Sequence, residues 1–473
     1  METTATGGAR REGVRAWWHR EVQVLRAGDG RAAQVLRWLY SRPAVVLLPA
    51  AAVGPGFFGA AIPGGDAGWF RRAGLSMLGP EFFEVFSSAG LQIGPLYLLG
   101  VGVLSAVVEA LGLPLLFTVA AAQSVALTAY TLAMTRRFAT ELGAPSSAAA
   151  WGVGAPVVFL GVLAESIGNG HPEEMLVGLL LAHALLAVRS RRPGTVGVLL
   201  GIATGLKLWG VLGAPVTLLG RKPRTVLVAG ALGVAITALC YLPFQLLGDV
   251  NTFDFSWGAG PAPFGFRVPS AALGGWGFRV FQAGTVLLLG GLVAWRWPGV
   301  GFGVVLTIVT TRIVLDPLLQ MYYPIPFIVV ALLWAWTSPR RPDIRWQVAV
   351  FPGTLVAMVG PYLLSYPVRI GLTHVTLVAI TVAVVRRDRH LAPVAVPGVA
   401  VPGEALPGEP VPGEVVPGEA VPGEPVPGEV VPGEAVPGEP LPADARAVDE
   451  GAEAAADVST PGTAGAAAVR RTR

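Results

Sequence analysis

Charge is what this sequence has least of. Of its 473 residues 14% are Asp, Glu, Lys or Arg and 53% are hydrophobic, whereas a soluble domain averages about 25% charged residues. That balance excludes a water-solvated surface over most of the chain. There is one cysteine, Cys240, so no intrachain disulfide can form. A Walker phosphate loop, a Gly-x-Ser-x-Gly elbow, a His-Glu-x-x-His helix and a nucleotide-binding fold are missing as well. An ATP-driven pump or a cytosolic nucleotide-sugar enzyme therefore has no support. The net charge of +4 is no argument for nucleic acid either, because the Arg and Lys residues concentrate at the ends of apolar runs.

What is present is a succession of apolar runs, near 43–62, 91–111, 113–134, 147–164, 174–188, 225–247, 280–295, 299–316, 322–337, 347–365 and 368–385. Most are long enough for a hydrocarbon core of about 30 Å. The expectation is an all-α, polytopic integral membrane protein of about 11–13 transmembrane helices, with membrane lipids as its surroundings. Three regions follow. Residues 1–42 form a basic segment with interleaved tryptophans, suited to an anionic lipid surface. Residues 43–390 form the membrane domain. Residues 391–473 carry eight Pro-Gly-Glu units at a period of five and a net charge of −9. Those repeating turns and like charges predict a disordered, extended tail.

Short basic loops (189–194, 221–224, 296–298, 338–345 and 386–390) set the orientation. They place the amino terminus and the tail in the cytoplasm, and the longer loops 63–90 and 248–278 on the outer face of a cell membrane. Two conflicts follow. Segment 194–219 has basic residues at both ends, yet is too short to cross twice. It reads as two half-helices broken at a Gly-rich middle, with Lys207 near the tip, facing an internal polar cavity. Arg136 and Arg137 belong inside, which demands an odd number of crossings between 91 and 134, where two apolar runs are seen.

Three polar constellations stand out. The first is "ESIGNGHPEE" (165–174), holding Glu165, Asn169, His171, Glu173 and Glu174. Asn169 or Gly170 can close a turn, Pro172 suits a first helical position, and the glutamates favour a helix amino end. Neither His171 nor Glu165 is explained in that way, so the alternative is a cavity wall that meets sugar hydroxyls or a divalent cation. The second is Asp66, between Gly65 and Trp69 in the first outer loop. It is either an ordinary loop aspartate or a general base at the membrane surface. The third is "TRIVLDPLLQMYYPIPF" (311–327). Arg312 and Asp316, four apart, can pair on one helix face, with Tyr322 and Tyr323 at the interface. Alternatively Arg312 binds a phosphate and the tyrosines stack on a sugar or prenyl chain.

In this order, the features resemble the polytopic GT-C glycosyltransferases, and within them glycosyltransferase family 87, the polyprenyl-phosphate-mannose-dependent α-mannosyltransferases. The residues that carry the resemblance are Asp66, "GNGHPEE" (168–174), "GVLLGIATGLKLWG" with Lys207, and "LDPLLQMYYPIPF" with Asp316, Tyr322 and Tyr323. It covers about residues 43–385, and the family's usual Gly-Gln at the hairpin tip is Gly-His here. The resemblance implies an inverting transfer on the outer face, from a polyprenyl-phosphate sugar donor, mannose favoured, to a cell-envelope glycan or glycolipid acceptor. Asp66 would be the base. Lys207, with Arg312, would neutralise the leaving phosphate, and His171, Glu173 and Glu174 would orient sugar hydroxyls. No cofactor is implied, with a divalent cation left open. A secondary transporter and an inactive membrane scaffold remain as alternatives.

Overall fold

The computed structural model describes residues 28, 30–61, 65–252, 264–299, 301–316, 320–338, 350, 353 and 363–389. All belong to one unit, Met1–Glu404. The amino-terminal arginines up to Arg26, most of the expected span 347–365 and the repeat tail lie outside the described residues.

Among the described residues all regular structure is helical. In chain order the helices are α1 (Arg31–Ser41), α2 (Pro43–Ala61), α3 (Ala67–Ser76), α4 (Pro95–Ala110), α5 (Leu115–Leu142), α6 (Ser146–Phe159) and α7 (Val162–Gly168). Then come α8 (Pro172–Arg189), α9 (Pro193–Leu206), α10 (Pro223–Leu247), α11 (Phe264–Arg296), α12 (Gly301–Val314), α13 (Ile325–Thr337) and α14 (Tyr366–Asp388). A 3₁₀ segment, Leu208–Gly220, follows α9. Proline opens α4, α8, α9 and α10 in the first turn. There its missing N–H costs no hydrogen bond and its fixed φ favours the helix.

Five helical stretches are long and apolar enough to cross a membrane: α2, α5, α10, Trp276–Arg296 and Pro367–Asp388. The pair α6–α7, bent by 43°, makes a sixth. Their outer faces are apolar; Leu239 on α10 is 74% exposed. By contrast α8, α12 and α13 bury almost every side chain. Apolar side chains outside and a tightly packed centre are what a lipid solvent permits, and the chain is a multi-pass membrane protein. Against the 11–13 crossings expected, the described residues thus give five or six full-length spans. The remaining apolar elements, α4, α9, α12, α13 and the 3₁₀ segment, have 13–16 residues each. They fall short of the roughly 17–25 residues a crossing takes.

Contacts sort the helix ends into two groups. At one end Trp151 Nε1 donates to Tyr40 O, Arg189 pairs with Glu141, and Arg221 donates to Trp295 O. The basic segments 189–194, 221–224 and 296–298 lie here. Gly56 of α2 packs on Ala121 of α5, while Leu47 and Leu132 meet at Gly154, so α2 and α5 are antiparallel. Arg136 and Arg137 therefore lie at the same end as Arg42. This settles the crossing conflict. Gly94, just before α4, donates to Leu206 O at the far end, and Tyr97 meets Gln123 of α5. The hairpin of α4 and early α5 rises beyond that level and returns, so only α5 makes the net passage.

Segment 194–219 is a hairpin. Gly197, Gly201 and Gly205 of α9 face Ala229, Ile236 and Cys240 of α10, so these two run parallel. The 3₁₀ segment folds back antiparallel, with Gly210 on Ala203 and Gly213 on Leu200. Lys207 is the extended residue at the break (φ −158°, ψ 130°). The expected loop 248–278 is shorter than read, because α11 already begins at Phe264.

The fit of α4 against the hairpin tip is testable. A methyl group on Gly94 would run into the Gly205 carbonyl and Leu206, whereas one on Gly100, within α4, meets nothing within 4 Å. Gly94→Ala is expected to destabilise by about 1–3 kcal/mol, and Gly100→Ala to stabilise by up to about 1 kcal/mol. Thermal unfolding in nanodiscs of one composition compares them; equal shifts would contradict the close approach.

Candidate functional site

Two left-handed glycines position the site. Gly65 (φ +67°) and Gly170 (φ +79°) adopt a conformation that other residues rarely take. A Cβ on Gly65 would strike the backbone of Asn169, and one on Gly170 the backbone of Ala67. The loop ahead of α3 thus interlocks with the turn ahead of α8, and Asp66 N donates to Asn169 O at 3.2 Å. Asp66 sits at the amino end of α3 without capping it. Its carboxylate, 45% exposed, points instead to His171, with Oδ2 3.0 Å from Nε2.

The other ring nitrogen of His171, Nδ1, lies 2.7 Å from Glu173 Oε1. Tyr322 stacks on the imidazole at 3.8 Å between centroids, and Phe70 meets it edge-on. Ser166 Oγ and Tyr97 Oη donate to the carbonyls of His171 and Gly170 and fix the turn. His171 precedes α8 and lies outside the membrane-spanning helices. Burial acts most strongly and opposes its charged form, and Lys207 adds to this. Glu173 and Asp66 together outweigh both, and its pKa is raised above the ordinary imidazole value.

Glu173 and Glu174, in the first turn of α8, are fully buried. Helix-end electrostatics alone would leave them at the surface; here they anchor cations. Lys207 Nζ lies 2.9 Å from Glu173 Oε1 and 2.8 Å from Glu174 Oε1. Arg312, ending α12, grips Glu174 through Nη1 and Nη2 at 3.3 and 3.1 Å. Trp209 Nε1 donates to Glu174 Oε2 at 3.0 Å. The guanidinium of Arg312 lies between the rings of Trp209 and Tyr323, 4.5 and 4.8 Å from their centroids. The expected Arg312–Asp316 pairing takes a different form. Arg312 is held by Glu174, and Asp316 accepts from Arg279 at 3.2 Å.

These groups surround a cavity of about 670 Å³. Asp66, His171, Lys207, Arg312, Asp316, Tyr322 and Tyr323 line it. Glu173 and Glu174 sit behind His171 and Lys207 and outside the lining. Glu165 and Asn169 also lie outside it; Asn169 Nδ2 donates to Glu165 Oε1 at 2.8 Å, so this pair braces the turn. Much of the remaining wall is apolar, including Phe86, Leu91, Leu212 and Phe244. Among the lining residues that sequence reasoning missed are Trp209, Arg279 and Gln282. Gln282 Nε2 donates to Arg312 O at 2.8 Å, and Arg279 Nη1 to Gln282 Oε1. The signal for Arg279 was an arginine beside the long apolar run that starts at 280, a costly placement that asks for a partner or a ligand. It was hidden because 248–278 read as a loop and the span as starting at 280.

A divalent cation does not fit this donor set. Both nitrogens of His171 already face carboxylates, and the carboxylates behind it face Lys207 and Arg312. Among the described residues no group of three or more His, Cys, Asp or Glu side chains is arranged to hold a metal.

Comparison with known proteins gives one family. The model of glycosyltransferase family 87 matches residues 95–301. No curated protein matches the sequence. The matched region contains the turn at 165–174, Lys207, Trp209, Arg279 and Gln282. Asp66 precedes it and Arg312, Asp316, Tyr322 and Tyr323 follow it, yet all border the same cavity.

Removing one partner from a buried ion network costs about 3–5 kcal/mol, because the charges left behind stay desolvated. Glu174→Ala removes the carboxylate that grips Arg312 and one of the two that hold Lys207, and is expected to destabilise by that order. Glu165→Ala removes a half-buried hydrogen bond and is expected to cost about 1 kcal/mol. Denaturation of both variants in the same detergent checks the ranking; the reverse order would mean that Glu174 is not the anchor.

Proposed function

From the premise that a multi-pass membrane protein carries a glycosyltransferase family 87 region over residues 95–301, we propose that it transfers a sugar, mannose favoured, from a polyprenyl-phosphate donor to a glycan or glycolipid acceptor. The transfer takes place on the outer face of the cell membrane. The observation that carries this reading is one cavity, at the end away from the basic loops, with a half-exposed carboxylate on one side and three cations on the other. A volume of about 670 Å³ falls in the range of about 300–1,000 Å³ usual for small-molecule sites. Its apolar wall suits a lipid carrier, and its polar rim a sugar phosphate.

In the proposed reaction Asp66 accepts the proton of the acceptor hydroxyl. The acceptor oxygen uses the freed electron pair to bond the anomeric carbon on the face opposite the phosphate. The bond from that carbon to the phosphate oxygen breaks, its electron pair stays on the oxygen, and polyprenyl phosphate leaves with one more negative charge. Lys207, Arg279 and Arg312 stabilise that charge. They are held in place beforehand by Glu173, Glu174 and Asp316, so little reorganisation accompanies the reaction. His171, Glu173 and Glu174 were expected to orient sugar hydroxyls. In this reading Glu173 and Glu174 act from behind, through the groups they hold, while Tyr322 and Tyr323 present aromatic surface to the sugar or the prenyl chain.

Protein in lipid nanodiscs, given labelled polyprenyl-phosphate mannose, arabinose or glucose and a cell-envelope acceptor fraction, tests the reading. Asp66→Asn is expected to lower kcat by about 10²–10⁴-fold with folding intact. Arg279→Gln is expected to raise the donor KM by about tenfold or more, as loss of a charged hydrogen bond would. Wild-type protein that neither transfers nor hydrolyses nor binds any donor would overturn the enzyme reading. Sugar flux across a sealed vesicle without transfer would point to the transporter.

A further inference from the structure

The contacts of His171 go beyond a role in binding a sugar. Four groups face its ring from four segments: Glu173 from α8, Asp66 from the start of α3, Lys207 from the break after α9, and Tyr322 from the segment ahead of α13. Phe70 of α3 closes the edge. We propose, resting on Asp66 as the base of the transfer, that His171 works as a clamped imidazolium. Held between Asp66 and Glu173, it orients Asp66 and fixes one of its carboxylate oxygens, leaving the other for the acceptor.

The geometry leads to this directly. Nε2 lies 3.0 Å from Asp66 Oδ2 and Nδ1 2.7 Å from Glu173 Oε1, and each of these distances is that of a hydrogen bond. A bare nitrogen at either place would aim its lone pair at a carboxylate oxygen. Glu173 is kept ionised by Lys207 at 2.9 Å, so Nδ1 carries a hydrogen. A hydrogen on Nε2 as well makes the ring a cation. Its face stacks on Tyr322 at 3.8 Å, an arrangement that favours positive charge. Lys207 Nζ, 3.5 Å from Nδ1, acts against it, but Glu173 Oε1 is bonded to both and offsets the repulsion. The ring is 5% exposed as a residue, so water does little to screen these interactions.

The clamp has a chemical consequence. With Oδ2 of Asp66 bonded to Nε2, Oδ1 is the oxygen left to meet the acceptor hydroxyl. When the acceptor proton arrives on Oδ1, the Nε2–H bond to Oδ2 persists and the imidazolium keeps its own proton. His171 is therefore a positioning residue. The rate should then fall at alkaline pH as His171 loses its proton.

Two measurements decide it. The first is the pH profile of transfer by wild type and by His171→Gln, whose amide still donates but does not titrate. The expectation is an alkaline limb for wild type. In the variant that limb should be lost, kcat should fall by about tenfold, and donor KM should hold within about twofold. The second is the ring protonation of His171, read by nitrogen-15 NMR of histidine-labelled protein without donor, in wild type, Asp66→Asn and Glu173→Gln. A ring that is cationic at neutral pH, and titrates lower in either variant, is the expected result. An alkaline limb that survives in His171→Gln, or a ring titrating at or below the ordinary value of about 6.5, would overturn the clamp. Should Asp66→Asn transfer as well as wild type, the base reading fails on its own, and the NMR titration still decides the charge on His171.

Discussion

Two adjacent carboxylates with no access to water, Glu173 and Glu174, dictate the arrangement of everything around them. Each unpaired buried ion would cost several kcal/mol, so the fold must deliver cations to that spot and hold them. It does so from three directions: Lys207 from the hairpin tip, Arg312 from the end of α12, and His171 from the turn just ahead. Trp209 adds a second donor to Oε2 of Glu174, beside Arg312. Elements far apart in the chain are thereby fixed relative to one another, and the front of the cluster becomes the floor of the cavity.

The backbone at Lys207 has to meet the same demand. A helix interrupted inside a membrane protein leaves amide groups that lipid cannot satisfy. Here Lys207 N donates to Ala203 O, Gly210 N to Lys207 O, and Gly94 N to Leu206 O. The last bond is possible because Gly94 carries no side chain, and the glycine row of α9 lets α10 approach on another side. Small residues therefore do two things at once: they allow close helix packing, and they shelter a break that exposes a lysine to the cavity instead of to lipid.

The distribution of arginine connects fold and function. Arginines at one end of the bundle border short loops. Of those at the other end, Arg279 and Arg312 turn inward and are matched by Asp316 and Glu174. An inward-facing cation already held by a carboxylate, yet lining a cavity, is suited to an anionic ligand that replaces or supplements its partner. The family match ends at residue 301, but the cavity also takes in residues on either side of it. The functional unit is thus defined by spatial convergence, with the matched segment as its centre.

Much of this was legible in the residues alone. Scarce charge and recurrent apolar runs fixed the all-helical membrane class, because a chain so poor in charged side chains has no other stable solvent. Basic residues at both ends of 194–219 forced a hairpin with Lys207 at its tip. The polar turn at 165–174 and Asp66 stood out because polar groups are costly among apolar runs. Other outcomes were not encoded locally. Composition does not distinguish a 16-residue apolar helix that rises and returns from one that crosses, so the passage from 91 to 134 was settled by which end of α2 lies beside α5. Spacing put Arg312 and Asp316 on one face as partners; in the fold Arg312 bonds Glu174 from another helix, and Asp316 accepts from Arg279. Sequence proximity likewise suggested that Glu173 and Glu174 touch the ligand. Only the tertiary structure turned them to the back of the site, where they hold the cations that do line the cavity.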